Sequence, residues 1–277
     1  MLKKMLFVLL SLLLLCSCGN KEVAEEKDLL AQIKEQGYIE VATEPYWAPN
    51  EFIDPSNNTI VGMDIELAQY IADKIGVELK VVPLEFSAVL TSITESKYDM
   101  AISAIAWSPE REEAMALSEG YEINESYGYG FLARVEDVDK YTTIESLEDA
   151  VVITQSASVQ EAILNKYVPK TKETKLVSSM TDAYLALSEG KADVVITGEA
   201  SGTLYAEANG NKLAMTGFIF DVDRRMLSTC VALPKKDSES LMEIVNQCIA
   251  ELTQQGKFNE WSQYYNDYAR SLRVIED

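Results

Sequence analysis

The chain has 277 residues, 47% hydrophobic and 25% charged, which fits one or two packed domains burying about 70 to 75% of their surface and excludes disorder, collagen and a multi-span membrane protein. Its 24 Lys and Arg stand against 45 Asp and Glu, a formal charge of −21, so nucleic acid is excluded as an expected partner. The absence of histidine removes the commonest general base and zinc ligand and points to binding rather than catalysis, with no metal or cofactor expected.

Residues 1 to 18, MLKKMLFVLLSLLLLCSC, combine two lysines, an apolar run from Met5 to Leu15 and small or soft residues. That is the three-part pattern of a secretory signal, too short for a comfortable membrane span. Leu15-Cys16-Ser17-Cys18-Gly19 resembles a bacterial lipobox, and Ser17 makes Cys18 the better acceptor of a lipid, because Cys16 follows bulky Leu15. The expected segments are a signal peptide over 1–17 and an anchor and polar tether over 18–27. The only cysteines beyond the anchor are then Cys230 and Cys248, in apolar contexts that suit core thiols at least as well as a disulfide.

From Asp28 the pattern is α/β. DLLAQIKEQ reads as a helix stopped at Gly37, and YIEVATE as a strand. Asp64 to Ile75 puts Leu67, Ala68, Ile71, Ala72 and Ile75 on one helical face before Gly76 and the strand VELKVVPL. Glu95-Ser96-Lys97-Tyr98-Asp99 before the strand MAISAI is echoed by Glu189-Gly190-Lys191-Ala192-Asp193 before VVITG, each after an apolar helix. The echo predicts two similar lobes. SYGYGFLARVED and LSTCVALPKK read as extended crossing segments, near Glu125 to Gly130 and Met226 to Thr229, which makes the first lobe discontinuous. The expected boundaries are 28–126 plus 229–277 for lobe 1 and 127–228 for lobe 2.

Two helix starts stand out. In Ser108-Pro109-Glu110-Arg111 a serine cap and a first-turn proline open a helix, yet Arg111 is a cation at the positive end of the dipole. A carboxylate ligand held by its planar two-pronged guanidinium would account for it, as would a surface or interlobe salt bridge. Further on, Ser158 and Glu161 form a capping box after the strand VVIT, opening a helix whose N–H groups suit the same anion or simply a structural cap.

Several motifs together resemble the bacterial extracellular solute-binding protein family 3. They are Gly62-Met63-Asp64-Ile65-Glu66-Leu67-Ala68, the stretch Thr43-Glu44-Pro45-Tyr46-Trp47-Ala48-Pro49-Asn50-Glu51-Phe52, and Tyr98-Asp99 with Trp107-Ser108-Pro109-Glu110-Arg111. Near the C-terminus come Glu251-Leu252, Gly256-Lys257-Phe258 and Trp261, and the likeness runs from about Leu29 to Tyr268. It implies a two-lobed periplasmic-binding-protein-like fold of type II, with lobes joined by two crossing strands. The function it implies is that of a monomeric, lipid-anchored, extracytoplasmic receptor, on the outer face of the cytoplasmic membrane or in the periplasm, without enzymatic activity. Such a receptor closes on an amino acid or similar carboxylate and delivers it to an ABC permease.

The same resemblance assigns Arg111 and Ser158 to the ligand carboxylate, Trp47 and Phe86 to the walls around its side chain, and Glu44 to a polar or cationic side-chain tip. The usual Ser or Thr for the ligand amine is replaced by Ala106, leaving Ser103 on the same strand. The usual ammonium-binding acid aligns with Gly198; Glu199 next door is the candidate to take its place if the loop shifts, since on a regular strand it would turn to the other face. These departures leave room for a carboxylate without an ordinary α-ammonium, or for a bulky cationic or aromatic solute using Trp47 and Trp107. An alternative on the same fold is a cyclohexadienyl or arogenate-type dehydratase with Glu44 or Glu199 as its acid.

Overall fold

The computed structural model describes residues 28–123 and 128–272. The expected signal peptide, Cys18 and the tether lie outside the described residues. The chain enters through α1 (Leu29–Gln36), β1 (Tyr38–Thr43), the small strands β2 (Tyr46–Trp47), β3 (Glu51–Asp54) and β4 (Thr59–Val61), then α2 (Met63–Ile75) and β5 (Glu78–Pro83). It continues through α3 (Phe86–Thr94), β6 (Met100–Ala106), α4 (Pro109–Ala114), β7 (Ala116–Leu117) and β8 (Glu122–Ile123). A second unit holds β9 (Tyr129–Arg134), β10 (Val151–Gln155), α5 (Val159–Tyr167), β11 (Glu173–Val177), α6 (Met180–Ser188), β12 (Val194–Gly198), α7 (Glu199–Ala208) and β13 (Leu213–Ile219). The chain returns through β14 (Ser228–Leu233) and closes with α8 (Glu239–Gln254) and α9 (Lys257–Leu272).

Local chemistry explains the element ends. The Asp28 carboxylate accepts the N–H groups of Leu30 and Ala31 at 3.0 and 3.3 Å, and Gly37 ends α1 at φ 81°. The buried stripe Leu67, Ala68, Ile71 and Ala72 of α2 joins the core cluster that also holds Leu241, Val245 and Leu252 of α8. Cys230 and Cys248 are buried free thiols.

The two sheets repeat one plan. In the first the order is β5-β1-β6-β14-β7, with β5, β1 and β6 parallel and β14 antiparallel to β6; β8 also pairs with β14. In the second the order is β11-β10-β12-β9-β13, with β11, β10 and β12 parallel and β9 antiparallel to β12. The echoed Asp has the same task in both copies. Asp99 accepts the N–H of Glu40 on β1 at 2.9 Å, and Asp193 accepts the N–H of Val151 on β10 at 2.9 Å, tying each third strand to its neighbour. Because β14 completes the first sheet after the chain has built the second, the fold has two lobes joined by crossing strands.

Candidate ligand-binding cleft

Parallel strands gather ligand-facing residues at their C-terminal ends. Here Glu44 follows β1, Arg111 follows β6, Gln155 ends β10 and Gly198 ends β12. These ends face a cleft of ≈ 510 Å³ that is lined by Glu44, Trp47, Phe86, Ser103, Ala106, Arg111, Ser158 and Glu199. All eight expected positions are therefore brought together.

Ser108 caps α4 by accepting the Arg111 N–H at 3.2 Å, with Pro109 in the first turn. The Arg111 guanidinium donates to Ala106 O at 2.6 Å in its own lobe and to Ala157 O at 3.0 Å in the other. Its central carbon lies 5.4 Å from the Phe86 ring centroid. Burial lowers its pKa to about 10, so it stays charged at neutral pH. Among the described residues no carboxylate pairs with it, which leaves a buried cation held by carbonyl dipoles.

On the facing lobe, the Ser158 hydroxyl donates to Gln155 O at 2.7 Å and accepts the Glu161 N–H at 3.1 Å. The expected capping box is altered in one respect: Glu161 takes the N–H of Ala157 instead of that of Ser158, where the chain turns at φ 61°. With its hydroxyl committed twice, Ser158 leaves the anion to the first-turn N–H groups of Val159 and Gln160, which line the cleft.

Glu44 is 3% exposed. Both its oxygens accept from Gln155 Nε2, at 2.7 and 2.9 Å, across the cleft. Burial raises its pKa to about 7 despite that bond, and the nearby charges of Glu85 and Asp182 push it further up. Gln155 was not singled out in the sequence; its place at the C-terminal end of a parallel strand is the signal that could have found it.

Ser103 is spoken for. Its hydroxyl accepts the Glu44 N–H at 2.9 Å and donates to Glu51 Oε1 at 3.2 Å. Asp64, expected on an ordinary helix, turns inward: it accepts from Ala104 N at 2.7 Å and from the Tyr121 hydroxyl at 2.9 Å. Glu51 and Asp64 are both 0% exposed, and burial followed by the charge of Asp64 holds the Glu51 pKa well above the usual carboxylate range. Glu51 is thus driven toward its neutral form at the cleft floor, where a proton on it would let it donate to Asp64.

One open reading is resolved and one is corrected. Glu199 does not sit on a strand: β12 ends at Gly198, and Glu199 opens α7 with its carboxylate accepting the Gly128 N–H at 2.9 Å. It faces the cleft because the chain turns into a helix there, so strand alternation does not apply. Trp107 does not line the cleft; it is buried beneath Arg225, whose guanidinium carbon lies 3.6 Å from its ring centroid. Among the described residues no cluster of three or more acids and thiols is arranged to hold a metal ion.

The model of the bacterial extracellular solute-binding proteins, family 3, matches residues 39–268. The chain belongs to this family. Proteins to which it is similar include the probable ABC transporter extracellular-binding protein YckB of Bacillus subtilis, 26% identical over 195 residues. That match covers 69% of this chain and 66% of YckB, just under two thirds of the relative's length. The L-cystine-binding protein TcyJ of Escherichia coli is 24% identical over 94% of each chain. Among solved structures, AbpA from Streptococcus pneumoniae bound to L-arginine superposes with a TM-score of 0.79 at 29% identity, over 89% of this chain and 100% of AbpA. A family of extracellular binding proteins works outside the cytoplasm, and no helix among the described residues is long and apolar enough to cross a membrane.

Proposed function

We propose that this solute-binding protein captures an amino acid with a cationic side chain between its lobes and presents it to an ABC permease. The observation that carries the reading is the pair Arg111 and Glu44. Both are buried in one cleft, both belong to the first lobe, and each is bonded to the second. In this reading the α-carboxylate lies against Arg111 and the N–H groups of Val159 and Gln160. The side chain passes between Trp47 and Phe86, and its cation displaces the Gln155 amide from Glu44. Glu199 then meets the α-ammonium in place of the acid that family members carry at position 198. Closure is favoured because the ligand touches both lobes only when they are shut. The arginine bound to AbpA supports the ligand class.

The mature protein is read as a monomer tethered by a lipid on Cys18, with lobe 1 spanning 28–126 and 229–277 and lobe 2 spanning 127–228. Loss of membrane association in a Cys18→Ala variant tests the tether. Isothermal titration of the mature protein with a panel of amino acids tests the ligand class: arginine or lysine should head the ranking, and a panel without any cationic hit overturns it. Glu44, with its pKa about 7, is also a group that dehydratase chemistry would need. Incubation with prephenate or arogenate should give no turnover.

A further inference from the structure

A second cavity of ≈ 540 Å³ meets the cleft at Glu44, Trp47, Ala48, Ser201 and Leu204. Its size lies within the usual range for small-molecule sites. Phe52 and Ile53 wall it from the first lobe, and Met180, Leu185 and Tyr205 from the second. No lysine or arginine lines it among the described residues, whereas Glu85 and Asp182 stand on it from opposite lobes. Both carboxylates act electrostatically on Glu44, which lines the two spaces alike.

The geometry points to an annex for extended ligands: we propose that it receives the far end of an amino acid whose side chain runs past Trp47 and terminates in an ammonium group. The proposal rests on the amino-acid reading of the cleft. The apolar walls suit the neutral middle of such a side chain, which gains by leaving water. Glu85 and Asp182 then attract the terminal cation. Because those two carboxylates are exposed, their pull is screened by salt and calls for a moderate effect rather than an all-or-none one. A side chain with a neutral tip would fill the same space without meeting that charge.

Titration calorimetry with L-lysine, Nε-acetyl-lysine and Nε-glycyl-lysine separates length from terminal charge. Nε-Glycyl-lysine should bind about tenfold tighter than Nε-acetyl-lysine, a gap that shrinks in 0.5 M salt. The double variant Glu85→Gln with Asp182→Asn should erase the gap at pH 9, where Glu44 is ionised with or without those two charges and lysine binding is retained. Leu185→Trp, at a half-open surface position, should weaken both extended compounds and spare lysine. Equal affinity for the two extended compounds, or a preference that survives the double substitution, overturns the annex. Binding of lysine alone would also overturn it while leaving the amino-acid reading in place; binding of none of the three would remove both.

Discussion

The side-chain amide of Gln155 spans the cleft and puts Nε2 2.7 and 2.9 Å from the two oxygens of Glu44, 111 residues earlier in the chain. The same nitrogen lies 2.9 Å from Ser178 O, so an uncharged group is what answers a buried acid. A ligand cation would answer it better once the acid is ionised.

Affinity for a cationic ligand should therefore follow the ionisation of Glu44. Its pKa is about 7 in the folded protein, so arginine should bind about tenfold more weakly at pH 6 than at pH 8, with a plateau above. Calorimetry across that range checks the slope, and Glu44→Gln should flatten it. For folding the sign runs the other way. The unfolded chain releases this proton near the ordinary glutamate value of 4.5, so the cost of holding it grows from there and levels off above pH 7.

Glu51 makes the same argument more strongly, because it is fully enclosed and faces Asp64. Its raised pKa means that the folded state keeps a proton the unfolded state releases, and stability falls as pH rises above the ordinary carboxylate range. Glu51→Gln keeps a donor for Asp64 and cannot ionise. Its melting temperature should exceed that of the parent at pH 8 and match it at pH 4. Asp64→Ala is the damaging change, since it removes the carboxylate that accepts from the Ala104 N–H and the Tyr121 hydroxyl; denaturant unfolding should report a loss of about 2 to 5 kcal/mol.

Arg111→Ala should abolish binding of every amino acid hit, with affinity down at least about a hundredfold. Arg111→Lys keeps the charge but not the planar fork, and should recover only part of that loss. Circular dichroism should show both variants folded, which separates lost recognition from lost structure.

Gly198 can be given the missing acid. Its backbone is in the extended region, φ −66° and ψ 139°, and an added Cβ meets only Ser201 Oγ, at 3.8 Å. Gly198→Asp should fold normally and tighten binding of α-amino acids by about tenfold. Analogues that lack the α-amino group should gain nothing, and calorimetry with matched pairs decides the matter.

Much of this was legible before any coordinates. Caps and breakers such as Asp28, Gly37, Gly76 and Ser108 act on their immediate neighbours, so their signals are local and the element ends followed. The paired Asp99 and Asp193 were visible as an echo, although only the structure shows that each pins a neighbouring strand. Of the eight expected cleft residues, only Arg111 and Ser158 were marked by the residues around them, as unusual helix starts; the other six came from the family resemblance. What escaped depends on partners far away in sequence. Nothing near Gln155 announces Glu44, nothing near Ser103 shows that its hydroxyl is used twice, and nothing near Trp107 reveals Arg225 lying on its ring. Whether Glu199 could reach the cleft turned on where the strand ends, and it stops at Gly198, so alternation does not turn the side chain away.

The pairing of β8 with β14, Glu122 opposite Thr229 and Ile123 opposite Ser228, has a mechanical consequence. It sets the point where the chain leaves the first lobe beside the point where it comes back, so both connections are rooted in one hydrogen-bonded pair instead of at separate places on the sheet.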